Sequence, residues 1–310
     1  MTNRTTVKEF ILLGYTVSST VEAALFCAVF VVYTLSIIIN VTIINLIWTE
    51  QLLHKPMYFF ISVFSFLEVW YPTVTVPGLL RALLLRMKAI TFGSCMAQFY
   101  FHFALGATEN FLLIVMAFDR CVAICKPLHY MIVMKHRNCV MLAVGSWIGG
   151  FSCIILLCTK LSQMTFCGPN KVDHYYCDFA PLVKLACSET TQLEALFFMT
   201  SSFVILISFL LIIVSYACIL GAILKLSTNT GRKKAFYTCA SHMIVVLIFY
   251  GTTIFMFVKP TSGNKVSINK MVSLFPSVLT PLLNPIIYSL RNQEVKKALQ
   301  KAVHCTYLYL

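Results

Sequence analysis

A membrane-embedded bundle of seven helices is the fold class this sequence predicts, and three observations carry that reading. Of 310 residues, 59% are hydrophobic and 11% charged, against roughly 25% charged in soluble domains. Seven apolar stretches, at about 23–48, 57–80, 92–118, 139–158, 195–224, 235–258 and 271–290, match the roughly 20 residues a helix needs to cross hydrocarbon. The segments joining them are mostly short, which leaves no room for a separate soluble domain. Lipid offers backbone groups no hydrogen-bond partner, so such stretches cross as helices. The result is an all-α membrane protein with one domain over 1–310: an extracellular N-terminus at 1–22, the bundle at 23–290, and a cytoplasmic tail at 291–310.

The polar first 22 residues have no signal-peptide core, so the first span reads as an uncleaved anchor. Asn3-Arg4-Thr5 is a glycosylation sequon placed for modification if the amino terminus faces outward. Asn40-Val41-Thr42 also matches but lies within a span. Lys and Arg divide almost evenly between the two faces and favour this orientation only slightly. The net charge of +13 sits at membrane faces, where anionic lipid and a cytosolic protein are the expected partners rather than nucleic acid.

Individual spans carry their own signals. Asn40 is a polar side chain placed to bond a neighbouring helix. Glu68 and Glu109 are carboxylates deep in apolar sequence, where a charge costs several kcal/mol, about 2.5 to 3.5 on insertion scales. No Lys or Arg stands mid-span to pair with them. They share a proton, hold a small cation between them, or are separately protonated. Asp119 and Arg120 close the apolar run 92–118 as an adjacent acid and base, either a lock that can open or a solvated pair at a helix end. Gly145, Gly149 and Gly150 in the fourth span permit close helix approach. Pro285, after Asn284 and before Tyr288, removes a backbone hydrogen bond and bends the seventh span. Beyond it Val295, Ala298, Leu299, Ala302 and Val303 share one helical face, the pattern of a short interfacial amphipathic helix. Cys305 follows, where palmitoylation is one outcome. Four cysteines, Cys95, Cys167, Cys177 and Cys187, fall on the outer side, where disulfides persist. They allow three pairings.

Five stretches in order, Pro56-Met57-Tyr58-Phe59-Phe60, Met116 to Tyr130 (MAFDRCVAICKPLHY), Phe166 to Ser188 (FCGPNKVDHYYCDFAPLVKLACS), Lys234 to His242 (KAFYTCASH) and Pro281 to Tyr288 (PLLNPIIY), resemble the signatures of olfactory receptors, a branch of the rhodopsin-like G-protein-coupled receptors. The chain departs from that pattern at Ile39, Phe118, Cys121 and Tyr237. The resemblance implies a Cys95–Cys177 bridge from loop to helix and a Cys167–Cys187 bridge within the loop. It implies an Asp119, Arg120, Tyr216, Asn284, Pro285 and Tyr288 switch that engages a G protein, and Na+ held by Glu68 and Glu109 as an allosteric ion, with no required cofactor. It places His102, Phe103, Gly106, Ala107, Thr200, Ser201, Val204, Tyr250, Thr253 and Phe257 around a ligand, with His102 where amine receptors have an acid. The expected ligand is therefore a small, weakly polar odorant rather than a biogenic amine. The expected output is a stimulatory olfactory-type G protein raising cAMP, in the plasma membrane of sensory-neuron cilia. The alternative keeps the fold and senses a non-volatile metabolite elsewhere. A transporter lacks support because the halves show no repeat and no broken-helix pair. An enzyme lacks support because the sequence shows no metal-ligand or nucleophile-base constellation.

Overall fold

The computed structural model describes residues 7–15, 17–167, 169–225, 228–258, 266–291 and 294–301. The side chains of 229–231, 233–238, 241, 255–258, 266–269 and 288–291 also lie outside the description. Asn3 and Cys305 therefore fall outside it, as do the side chains of Phe257 and Tyr288.

The first five helices run Ser19–Thr49, Pro56–Leu85, Phe92–Cys125, His136–Ser162 and Thr191–Leu224. The sixth is Asn229–Val258, and the seventh runs from Val266 to Arg291 through a π-helical turn at Phe275–Leu279. Among the described residues six spans are long and apolar enough to cross a membrane, and the sixth helix adds the apolar stretch His242–Ile254. Large apolar side chains such as Phe30, Ile148, Phe203 and Leu247 are exposed on the outer faces of these helices, the surface a lipid solvent requires. The third helix is the axis, packing most extensively on the fourth, fifth and second.

Several boundaries differ from expectation for local reasons. The third helix does not stop at Phe118: it continues to Cys125, because Cys121 to Ile124 extend the apolar pattern until Pro127, whose ring disfavours helical geometry at Lys126. Asp119 and Arg120 are thus interior and buried, at 1% and 6% exposure, and a solvated end pair is ruled out. The second helix outruns residue 80 and ends at Arg86 in a left-handed conformation, φ 54°. In the seventh helix the π-helical turn contains Pro276, whose missing N–H leaves the ladder free to widen by one residue.

Close approach is visible where the third and fourth helices cross. A Cβ added at Gly150 would lie 2.6 Å from the Thr108 backbone nitrogen and 2.8 Å from its Cα, whereas one at Gly149 would meet only the Phe111 ring at 3.2 Å. Asn40 donates to the Pro281 carbonyl at 2.9 Å, tying the first helix to the seventh.

The outer end carries structure where the sequence predicts only a polar tail and loops. Strand β1 (Glu9–Leu12) pairs antiparallel with β2 (Ala89–Thr91) and parallel with β3 (Lys171–Val172). Phe10 of β1 is fully buried beside Phe92 and Phe166. Cys95 bonds Cys177 and Cys167 bonds Cys187, the pairing implied by the resemblance. At the inner end residues 294–301 form a helix that buries Val295 and Ala298 against the bundle. Lys55 and Tyr58 bond Glu294 at 2.8 and 2.7 Å, and Lys301 pairs with Glu50 at 3.0 Å. These bonds fasten that helix to the first inner loop. Leu299, expected on the apolar face, is 40% exposed, as a membrane-facing residue of an interfacial helix would be.

Candidate functional site

Beneath the outer cap lies a cavity of about 270 Å³, close to the roughly 300 Å³ at the lower end of small-molecule sites. Its third-helix wall is His102, Phe103, Gly106 and Ala107, and its fifth-helix wall is Thr200, Ser201 and Val204. Thr253 of the sixth helix completes eight of the ten side chains the sequence reading grouped there. Helical spacing explains the grouping: residues three and four apart share a face, so 102, 103, 106 and 107 point one way, as do 200, 201 and 204. A Cβ added at Gly106 would make only ordinary contact with the Tyr71 ring, at 3.8 Å.

Tyr250 is placed differently. Its ring is not on the cavity surface; its hydroxyl donates to Ser208 Oγ at 2.6 Å and lies 3.3 Å from Asn110 Oδ1. Ser208 in turn approaches Asn110 Oδ1 at 3.0 Å. This buried network joins the third, fifth and sixth helices, with Asn110 also exposed to the cavity.

The sequence reading missed the second outer loop as a cavity wall. Tyr176, Asp178, Phe179 and Ala180 line it, with Ser273, Pro276 and Ser277 at the π-helical turn of the seventh helix. The signal was present in Cys177: its bond to Cys95 at the head of the third helix pulls both neighbours over the bundle mouth. Gln98 reinforces this, accepting from the Cys177 amide at 3.0 Å while donating to the Val74 carbonyl at 3.0 Å. Tyr176 packs on His102 with centroids 4.5 Å apart, and Tyr71 stacks on the same imidazole at 5.1 Å. Phe179 stacks on Phe197 at 3.9 Å. Most of the surface is therefore apolar or aromatic. Among the buried polar atoms, His102 Nδ1 has no hydrogen-bond partner, which leaves it available to a ligand.

Charge in the cap is arranged around Lys270. Its ammonium pairs with Asp173 at 2.5 Å and donates to the Gly14 carbonyl at 3.1 Å, while its own carbonyl accepts from Tyr15 at 2.8 Å. Burial, with the Lys270 charge second, drives the His174 imidazole down to about 3, so it is neutral at physiological pH. Burial pushes the Asp178 carboxyl up to about 6, against an opposing bond from the Phe179 amide.

Deeper in the bundle Asn284 donates to Glu68. Glu68 and Glu109 are 1% and 3% exposed and close enough to interact electrostatically. Glu68 Oε2, Glu109 Oε1 and Asn284 Oδ1 are buried oxygens with no partner. Such an oxygen-only set fits a small hard cation. Among the described residues no cluster of three or more His, Cys, Asp or Glu side chains is present.

At the inner end Arg120 is ion-paired with Asp119, whose other oxygen accepts from Tyr130 at 2.8 Å. Tyr216 bonds His242 Nδ1 at 2.6 Å, joining the fifth and sixth helices, so His242 is a bonded bundle histidine. Pro285 is buried within the last helical segment beside Asn284.

The sequence profile described as "Olfactory receptor" matches residues 26–305. The chain is similar to human Olfactory receptor 6F1, at 46% identity over 96% of this chain and 97% of that protein. It is similar to human Olfactory receptor 6X1, at 44% over 98% of each, and to rat Olfactory receptor 226, at 43% over 96% of this chain and 92% of that protein. A seven-helix bundle with a capped cavity, a buried acid-arginine lock and a profile match over nearly its whole length places this chain in the olfactory receptor family of rhodopsin-like G-protein-coupled receptors, multi-pass proteins of the plasma membrane.

Proposed function

We propose that the cavity under the second outer loop binds one small, weakly polar volatile molecule. Binding shifts a resting–active equilibrium toward a state that activates a stimulatory olfactory-type G protein and raises cAMP in sensory-neuron cilia. The observation that carries the reading is the cavity itself: about 270 Å³, mostly apolar and aromatic, with a few hydroxyls and the unpartnered His102 Nδ1. A compact apolar body gains by leaving water, and a single donor or acceptor on it satisfies the imidazole nitrogen.

A ligand can shift the equilibrium only by binding one state better than the other. The cavity floor supplies the difference, because Asn110 contacts both the ligand space and the Ser208–Tyr250 network that spans three helices. Below it, release of Arg120 from Asp119 frees a guanidinium for the G protein. Na+ held by Glu68, Glu109 and the Asn284 carboxamide stabilises the resting state; the unpartnered oxygens of those three side chains support this. The signalling claim is tested by cAMP in cells displaying the receptor, challenged with a panel of volatiles beside Arg120→Ala. A dose-dependent rise abolished in the variant supports it; a rise of equal size in the variant defeats it. The sodium claim fails if agonist potency is unchanged when a large organic cation replaces Na+.

A further inference from the structure

A second cavity, of about 400 Å³, opens at the inner end of the bundle between the first, second and fourth helices and the two inner loops. Its apolar surface comes from Trp48, Leu53, Phe59, Met131 and Met134. Its polar surface is basic: His54, Lys55, Lys135 and His136 all line it, and no acid does. Trp48 and Met131 are 71% and 67% exposed, in continuity with exposed Leu52 and Ile132. An apolar hollow with a cationic rim at this height faces the inner leaflet, whose anionic headgroups attract Lys and Arg.

We propose that this cavity binds an anionic phospholipid of the inner leaflet. The phosphate sits at Lys135, with His54 and His136 beside it, and part of one acyl chain lies against Trp48, Phe59 and Met131. Charge complementarity selects the occupant. Lys55 is already paired with Glu294 at 2.8 Å, whereas Lys135 has no ion-pair partner among the described residues and is exposed at the start of the fourth helix. A zwitterionic lipid carries the same phosphate together with a cation of its own, which the basic rim repels, so a headgroup of net negative charge is selected. A soluble phosphate would leave the exposed Trp48 and Met131 uncovered.

The site has a consequence for the switch. Met131 and Met134 belong to the inner loop that delivers Tyr130 to Asp119, so an occupant braces that loop while Asp119 holds Arg120.

The test uses the full-length receptor, purified and exposed to equal amounts of phosphatidylserine and phosphatidylcholine, with retained lipid counted by native mass spectrometry. The expected result is phosphatidylserine retained about fivefold over phosphatidylcholine, the effect of about one cation near the headgroup. Lys135→Gln, a change to an exposed side chain with no ion-pair partner among the described residues, abolishes that preference. Met131→Trp, which fills the hollow, lowers retention of both lipids. Equal retention by the unmodified receptor overturns the proposal, and so does a preference that survives both substitutions. Competition by glycerophosphoserine as effective as that by the lipid overturns the acyl-chain assignment, and a second receptor copy retained in place of lipid overturns the occupant. No odorant is needed, so this outcome is independent of the volatile-ligand reading.

Discussion

Tyr250→Phe removes one oxygen from the centre of the bundle and leaves the ring in place. The lost contacts are the 2.6 Å bond to Ser208 Oγ and the longer approach, 3.3 Å, to Asn110 Oδ1. No donor is stranded, because Ser208 can still donate to the Val204 carbonyl at 2.6 Å or to Asn110 at 3.0 Å, and Asn110 Nδ2 keeps the Gly106 carbonyl at 2.9 Å. The cost is therefore that of one net buried hydrogen bond, about 1 kcal/mol, rather than the higher penalty of an orphaned polar group. If the bond exists only in the resting state, the same 1 kcal/mol shifts the resting–active ratio by about fivefold. Basal cAMP, normalised to surface display, then rises by up to about fivefold, and less odorant is needed for half-response. A Tyr250→Phe, Ser208→Ala double variant tests the coupling: joined residues give a combined effect smaller than the sum. Unchanged basal signal in Tyr250→Phe, or strict additivity in the double variant, refutes the claim that this network holds the three helices in the resting arrangement.

Gly150→Ala places a methyl inside contact distance of the Thr108 backbone, which cannot rotate away. The crossing must open at a cost of about 1–3 kcal/mol or more, read as lost surface display, whereas Gly149→Ala meets only a ring edge and should express normally. Lys270→Met breaks a bond to Asp173, itself half exposed, and one to Gly14, so about 1–2 kcal/mol is expected after allowing for solvent screening. It should appear as a lower melting temperature and faster odorant exchange. Two cap residues titrate with opposite signs. Asp178, raised to about 6, binds more protons folded than unfolded, so its contribution to stability grows as pH falls from 7 towards 5 and is lost as pH rises through 6. His174, lowered to about 3, binds fewer protons folded, so it destabilises the fold as pH falls below about 6.5. Melting temperature measured from pH 7.5 to 5 should therefore drop more steeply in Asp178→Asn and less steeply in His174→Gln.

The bundle was legible in the sequence because crossing lipid imposes one rule on every span, and the motifs located the cavity because residues three and four apart share a helix face. Tyr250 escaped that logic: it lies one turn from Thr253, yet its hydroxyl turns towards Ser208 and Asn110 instead of the ligand space. The three-stranded cap was hidden by brevity. Glu9–Leu12 is four residues and its partners three and two, too short for alternation to rise above background. Nothing in the composition of Asp178 and its neighbours reveals their depth; only the tether at Cys177 does. The helix continues past Asp119 although a charge pair resembles a helix end, because the apolar pattern runs on to Cys125.

The most direct test of the account is Ala107→Trp in a receptor displayed at the cell surface, with cAMP recorded against whichever volatile activates the unmodified chain. Ala107 is a cavity wall on the third helix and 7% exposed, so an indole there occupies the ligand space without touching Arg120. The account predicts normal display, intact basal signal and loss of the odorant response. A full response at unchanged concentration would contradict it, because the ligand would then be acting somewhere other than this cavity.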